Sequence, residues 1–429
     1  MPSDRIARPP RVLLGLSEIA GYMGHLRRGF EQCGHKAVFL SLAESSFRYS
    51  EDQAPNWLAR WHRSLAARKV ASRFRPVRLI WEALLFPLRL VLMVWALTCF
   101  DVFIFHGTSS FFRYYELGLF RLLGKKVVYI FLGSDGRPPY INGIRIRSGM
   151  STATMAREAR RIKDRVLRIE RHADLIVCNP LSGQFHERPF LNGLYIGFPF
   201  NEAVLAQPPE ERSTIRILHA PSHGPAKGTS TIRTAIATLK EKGYAIDFVE
   251  LSGRPHSEVM EELRHCDFVV DELYSDTLMA GLGTEAASCG RPVIVGGYEN
   301  DDLGKLVPPD LLPPVLRTEP EAVEIAIMRL IDDTAFRRDL GARAAAFLQR
   351  QTPERVASRL MEALAGGAPQ WAWFDPRSAR FIHGTGIARD ALEDYLSSFI
   401  AAEGASALMV DDKPELRHAF QALAQRKPS

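Results

Sequence analysis

Cysteine is scarce in this sequence: only five occur in 429 residues, Cys33, Cys99, Cys178, Cys266 and Cys289. They are scattered, odd in number and lack metal-ligand spacing, which fits a reducing cytosol better than a disulfide framework. They read as small buried hydrophobes. No apolar stretch precedes the first strand candidate, so no secretory leader is expected. No Asp-x-Asp pair stands in a suitable loop and no His and Cys ligands cluster, so neither a metal nor a cofactor is expected. A large excess of either charge is also missing. The net charge is only +6, and 46% apolar and 24% charged residues are ordinary globular values. Such a length exceeds what one hydrophobic core usually serves.

What is present is a repeated alternation of short apolar runs, turns and helical stretches. Residues 11–16, 36–40, 101–106, 126–132 and 173–178 read as buried strands, with a glycine-bearing turn at 19–25 and a charged crossover helix over 154–172. Runs this uninterrupted are expected of parallel strands covered on both faces. A polar, proline-bearing linker spans 201–213, and then the pattern restarts. Strands are expected over 216–220, 246–250, 267–270 and 291–295, with helices over 229–242, 258–265 and from 283. The fold class is therefore α/β, with two Rossmann-like doubly wound domains, 1–200 and 214–368, facing across a cleft. A helical tail, 369–429, is placed to pack back on the first. Ligands of such sheets sit beyond the carboxyl ends of the strands, so the cleft is the expected site.

The first strand of the second unit runs into a loop of small residues, 219–229, that carries Ser222, His223, Lys227 and Gly228 and ends at a helix start. Its amides and the Lys227 ammonium can close on a diphosphate. A solvated lysine at an ordinary turn is the other reading. After the strand 267–270 come acidic residues, a glycine-bearing loop and a helix start with Leu282, Gly283, Thr284 and Glu285. A carboxylate there can accept two hydrogen bonds from a ribose diol, and free helix-start N–H groups suit phosphate oxygens. Alternatively, Glu285 complements its own helix dipole.

As a pair, Ser222 followed by Lys227-Gly-Thr, and Glu285-Ala-Ala-Ser-Cys-Gly-Arg-Pro-Val-Ile, resemble the donor half of GT-B glycosyltransferases, family 4 in particular, over residues 215–365. The resemblance implies Lys227 against the diphosphate, Glu285 on the ribose, backbone contacts from Leu282, Gly283 and Thr284, and Gly253 and Arg254 beside the base. It implies metal-independent transfer of a hexose from a nucleotide sugar to a hydroxyl, with retention of anomeric configuration. Two positions depart from the pattern. Thr277 stands where relatives carry the earlier carboxylate of Glu-x7-Glu, with Asp276 or Asp271 as candidates to replace it, and Leu132 stands where relatives carry a histidine. Asp135 and His106, at the rim of the cleft, are the candidate catalytic groups, since either can act as a base near neutral pH. A capping role for Asp135 and a buried structural role for His106 are the alternatives. Gly21, Gly24, His25 and Arg137 are the candidates for the acceptor side.

The first unit carries an insertion, 57–99. Between residues 60 and 78 lie Arg60, Arg63, Arg68, Lys69, Arg73, Arg75 and Arg78 with no acid, interleaved with Trp61 and Phe74 and preceded by Trp57. Residues 79–97 then form an apolar helix with Glu82 and Arg89 as its charges. Pro87, the two charges and the immediate return to a strand argue against spanning a bilayer. Attachment to an anionic membrane surface through residues 60–97, on the cytoplasmic face, is one reading, and it suits a glycan or polyprenyl-linked acceptor of the kind used in surface polysaccharide or glycolipid synthesis. A buried crossover helix with solvated arginines is the other. No nucleic-acid module accompanies the basic run, so no nucleic acid is expected. The same architecture serves nucleotide-sugar 2-epimerases, and Leu132 and Thr277 lend weight to a shell that binds without turnover.

Overall fold

The computed structural model describes residues 8–19, 21–42, 55–72, 74–200 and 212–425. Nearly all of the expected linker, 201–213, lies outside these residues. Two parallel sheets organise the chain. The first contains β1 (Val12–Leu16), β2 (Ala37–Ser41), β3 (Val102–His106), β4 (Lys126–Ile130), β5 (Leu175–Cys178) and β6 (Phe190–Asn192). The second contains β7 (Ile215–His219), β8 (Ile246–Glu250), β9 (Phe268–Val270), β10 (Val293–Gly296) and β11 (Leu316–Thr318). A twelfth strand, β12 (Trp373–Phe374), pairs antiparallel with β6. The orders are β12-β6-β5-β4-β3-β1-β2 and β11-β10-β9-β7-β8.

Alternation of side chains divides each sheet between two cores, as the period of two in a strand requires. Leu13, Phe103, Phe105, Val127 and Tyr129 face one side of the first sheet, and Val12, Leu14, Ile104, Val128 and Ile130 face the other. The helices Arg389–Glu403 and Pro414–Ala424 of the tail cover the first of these faces with Leu392, Leu396, Phe399, Phe420 and Leu423. The Tyr140 hydroxyl donates to the Leu408 carbonyl at 2.7 Å and pins the tail there.

The boundary read at residue 368 is corrected by the structure. The helix Pro353–Leu364 belongs to the first unit, where Val356, Ala357, Leu360 and Ala363 join the β1–β3 core. It crosses the helix Tyr22–Gln32 so closely that a Cβ on Gly29 would lie 2.0 Å from the Pro353 carbonyl oxygen. Gly29→Ala must therefore move backbone. We expect it to cost about 1–3 kcal/mol or more, lowering the melting temperature by ~2–4 °C per kcal/mol in calorimetry. An unchanged transition would show that these helices do not meet there.

The insertion forms a helical hairpin, Trp57–Ala71 and Arg75–Cys99. The long helix is not a buried crossover element. It is long and apolar enough to cross a membrane by composition, and only 22% of its most apolar window is buried.

Candidate functional site

The carboxyl edge of the second sheet is built from β7 outward. His219, fully buried at the end of β7, bonds to the Val270 carbonyl through Nδ1 and to Thr229 Oγ1 through Nε2, both at 2.8 Å, which ties β7 to β9 and to the following helix. Burial holds its pKa below the ordinary value, against the pull of the Val270 carbonyl. Ser222 is exposed, and the His223 Nδ1 accepts from the Ala226 N–H at 3.2 Å, capping the turn Gly224–Lys227. Gly228 then adopts φ +76°, and a Cβ there would lie 2.9 Å from Leu273. Only glycine fits that left-handed corner.

This corner sends the Lys227 side chain inward rather than to solvent. Its ammonium lies 2.9 Å from Glu272 Oε2 and 3.3 Å from Asp271 Oδ1, at the end of β9. Burial lowers the Lys227 pKa, but the two carboxylates more than offset it and the net shift is upward. Glu272 moves up as well, through burial and the repulsion of Asp271. Asp271 Oδ2 is buried with no hydrogen-bond partner and lies 3.6 Å from where a Cβ of Gly283 would be. Gly283 belongs to the helix Gly281–Ser288, which no side chain caps. The amides of Ala280, Gly281, Leu282 and Gly283 have no carbonyl of their own helix to bond. Glu285, two residues beyond Gly283, accepts from His256 Nε2 at 2.9 Å, in the segment that follows β8. Gly253, at φ +67°, precedes that segment, and Arg254 turns outward to Glu258 at 2.7 Å.

Facing this edge, a cavity of about 330 Å³ occupies the cleft. Its walls are largely apolar: Tyr22, Phe131, Leu132, Leu194, Phe198 and Met279. Ala280, Gly281 and Thr284 bring the helix start to it, and Thr277 lines it too. Its paired charges are Arg137 from the first unit and Asp276 from the second, whose side chains are each 7% exposed. Arg137 Nε and Nη2 both donate to Asp276 Oδ2, the former at 2.7 Å, and Asn179 Nδ2 donates to the Asp276 carbonyl at 2.6 Å. The two halves are thus clasped by a buried ion pair over the cavity.

Other expected residues take structural positions. Asp135 accepts backbone N–H bonds from Gly107 at 3.1 Å, Leu132 at 3.1 Å and Gly133 at 2.9 Å, so it is the cap that shapes the loop after β4. His106 is 2% exposed. Its Nδ1 accepts from the Thr108 N–H at 3.3 Å, which leaves Nε2 protonated and donating to Ser17 Oγ. Burial keeps it below the ordinary histidine pKa, although Asp135 pulls the other way. Neither residue lines the cavity, and their bonds are those of the loop cap and the buried structural histidine that the sequence also allowed. Gly21 sits at φ +77° ahead of the first helix. The Gly24 and Met23 amides are already capped by the Glu18 carboxylate at 3.0 and 3.1 Å, and His25 bonds the Pro199 carbonyl at 3.0 Å. Of the four acceptor-side candidates, Arg137 alone lines the cavity.

Glu272, His256, Asn179 and Glu18 escaped the sequence reading. Glu272 had a signal in the doubled acid at the end of β9, and Asn179 in the Asn-Pro that ends β5. His256 and Glu18 had none.

No protein-family profile and no curated protein matches the sequence. Solved structures do resemble it. An α,α-trehalose-phosphate synthase (UDP-forming) from Burkholderia vietnamiensis superposes with a TM-score of 0.50 at 11% identity, covering 83% of this chain and all of that one. HepE of Anabaena, solved with UDP-glucose, gives 0.49 at 16% identity, over 83% of this chain and 99% of its own. The fold is GT-B. At such identities the likeness speaks for architecture alone. The cavity lies between the two units; the start of the helix Gly281–Ser288 reaches its wall, whereas Lys227 and Glu285 are not among its lining residues.

Proposed function

We propose that the chain is a nucleotide-sugar-dependent glycosyltransferase whose donor sits at the edge formed by Lys227, the Gly281–Ser288 helix start and Glu285. The observation that carries this reading is the inward turn of Lys227. An ammonium has three N–H donors, and Asp271 and Glu272 occupy two, so one is left for a phosphate oxygen beside amides that no carbonyl of their helix satisfies. Glu285, held at the β8 side by His256, is placed to accept from a ribose diol. A sugar attached to that diphosphate would project into the cleft. Charge developing on the departing phosphate would be met by fixed protein groups, so no metal is required of this arrangement. Retention of anomeric configuration is part of the proposal through the family 4 motifs.

The acceptor follows from the cavity walls. Tyr22, Phe131, Leu132, Leu194 and Phe198 suit an acceptor with an apolar portion, such as a lipid-linked glycan, better than a bare sugar. Leu132 and Thr277 in that lining also favour a second reading, a GT-B shell that binds nucleotide sugar without transfer. Titration with a panel of nucleoside diphosphates, followed by turnover with nucleotide sugars and polyprenyl-linked acceptors, separates the two. Glu285→Gln is expected to weaken nucleotide binding about 10- to 100-fold in calorimetry, the scale of ~1.5–3 kcal/mol for hydrogen bonds to a charged group. Unchanged affinity for ribonucleotides would remove Glu285 from the ribose site.

A further inference from the structure

The helix Arg75–Cys99 presents an apolar face to solvent where a globular protein would present a polar one. Val77, Ile80, Leu84, Pro87, Val91 and Val94 follow one another at alternating spacings of three and four, and all are exposed, Ile80 by 59% and Val91 by 54%. Such a stripe runs along one side of a helix. A second stripe, Leu79, Ala83, Phe86 and Leu90, lies beside it and is exposed as well. The polar side is narrow: Glu82 is engaged by Lys69 of the partner helix and by Arg89. A contiguous apolar surface of this extent marks a contact site.

Charge identifies what it contacts. On the helix Trp57–Ala71, Arg60, Arg63 and Arg68 line one shallow groove with Ser64 and Ala67, and none pairs with a carboxylate among the described residues. Trp57 and Trp61 stack beside them, 6.3 Å between ring centroids, and are 66% and 50% exposed. Phe74 is exposed at the tip. Free arginines, exposed tryptophans and an apolar helix face in one hairpin match the boundary of an anionic leaflet, where phosphate meets acyl chain. Spanning is not what this geometry serves. The last turns of the long helix bury Leu92, Met93, Ala96 and Leu97 in the first unit's core and run directly into β3. That leaves residues 75–91, ~25 Å of helix, short of the ~30 Å hydrocarbon core. A second copy of the chain meeting this face symmetrically would bring like-charged arginines together.

We propose that the hairpin docks on an anionic lipid leaflet, with the exposed face of Arg75–Cys99 entering the acyl boundary and Arg60, Arg63 and Arg68 engaging headgroup phosphates. This holds independently of whether the cleft transfers a sugar. The test is co-sedimentation of the full chain with vesicles of phosphatidylcholine alone or with one quarter phosphatidylglycerol. Binding to the anionic vesicles is expected, and weaker binding to neutral ones. Replacing Arg60, Arg63 and Arg68 by Gln is expected to lower partitioning about 100-fold, each cation near an anionic surface contributing a factor of about five. Ile80→Asp with Leu84→Asp should abolish it while leaving the circular dichroism and melting curve of the free protein unchanged. As a charge-matched control, Arg157, Arg160 and Arg161 replaced by Gln should bind as the parent does. Absence of binding to either vesicle, equal loss in the control, or concentration-dependent dimers that Ile80→Asp dissolves without any vesicle binding would each overturn the proposal.

Discussion

Lys227→Met is expected to abolish measurable nucleoside-diphosphate binding and to slow sugar transfer about 100- to 1000-fold, the scale for removing one preorganised stabiliser of a developing oxyanion. The same substitution has a structural cost. It strands Asp271, 1% exposed at its side chain, and Glu272, 12% exposed, as adjacent carboxylates with no cation between them. Breaking a buried ion pair from one side costs about 3–5 kcal/mol, so a lower melting temperature of the second unit is expected in calorimetry. Glu272 already titrates above its ordinary value through burial and Asp271, so protonation favours the folded state and the variant's deficit shrinks as pH falls through that raised value. Replacing Lys227, Asp271 and Glu272 together by Met, Asn and Gln removes the stranded charge. This triple variant should melt like the parent yet still fail to bind nucleotide. Wild-type affinity in either folded variant would take Lys227 out of the donor site.

The second large effect concerns the clasp over the cavity. Arg137→Ala leaves Asp276 buried and unpaired while the cleft is closed, at a cost of about 3–5 kcal/mol. Neither partner lies in the interior of a single core; they meet between the two units. Separation of the units would return Asp276 to water, so the chain is expected to open rather than unfold. Small-angle scattering should show a larger radius of gyration with little change in the melting curve, and turnover should fall as the cavity loses its shape. Arg137→Lys should not rescue, because Nε and Nη2 reach one oxygen together and an ammonium cannot copy that fork. Arg137→Ala combined with Asp276→Leu should restore the compact form. Unchanged scattering in Arg137→Ala would mean that the pair does not hold the cleft.

Nine of the twelve strands were readable because each is a short apolar run bounded by turn chemistry, and both properties are local. The strands that escaped, β6, β11 and β12, have three, three and two residues, too few for a pattern. The helix Pro353–Leu364 was not placed in the first unit, since an apolar helix face shows only that some partner exists. The donor-side motif was readable through Lys227 and Glu285. For Asp135 the sequence left a catalytic and a capping reading side by side, because a carboxylate at a strand end serves a base and a loop cap equally well. Only the three amides aimed at Asp135 distinguish them.

By itself, then, the sequence determined two α/β units and the residue types at the edge of the second sheet, for period, turn residues and helix starts are written within a few neighbouring positions. Tertiary structure alone decided the pairings: Lys227 with Asp271, 44 positions on, and Arg137 with Asp276, 139 positions on. Such partners are chosen by which strand ends lie side by side and how the two halves close. A buried charge takes whichever counter-charge that geometry brings within reach.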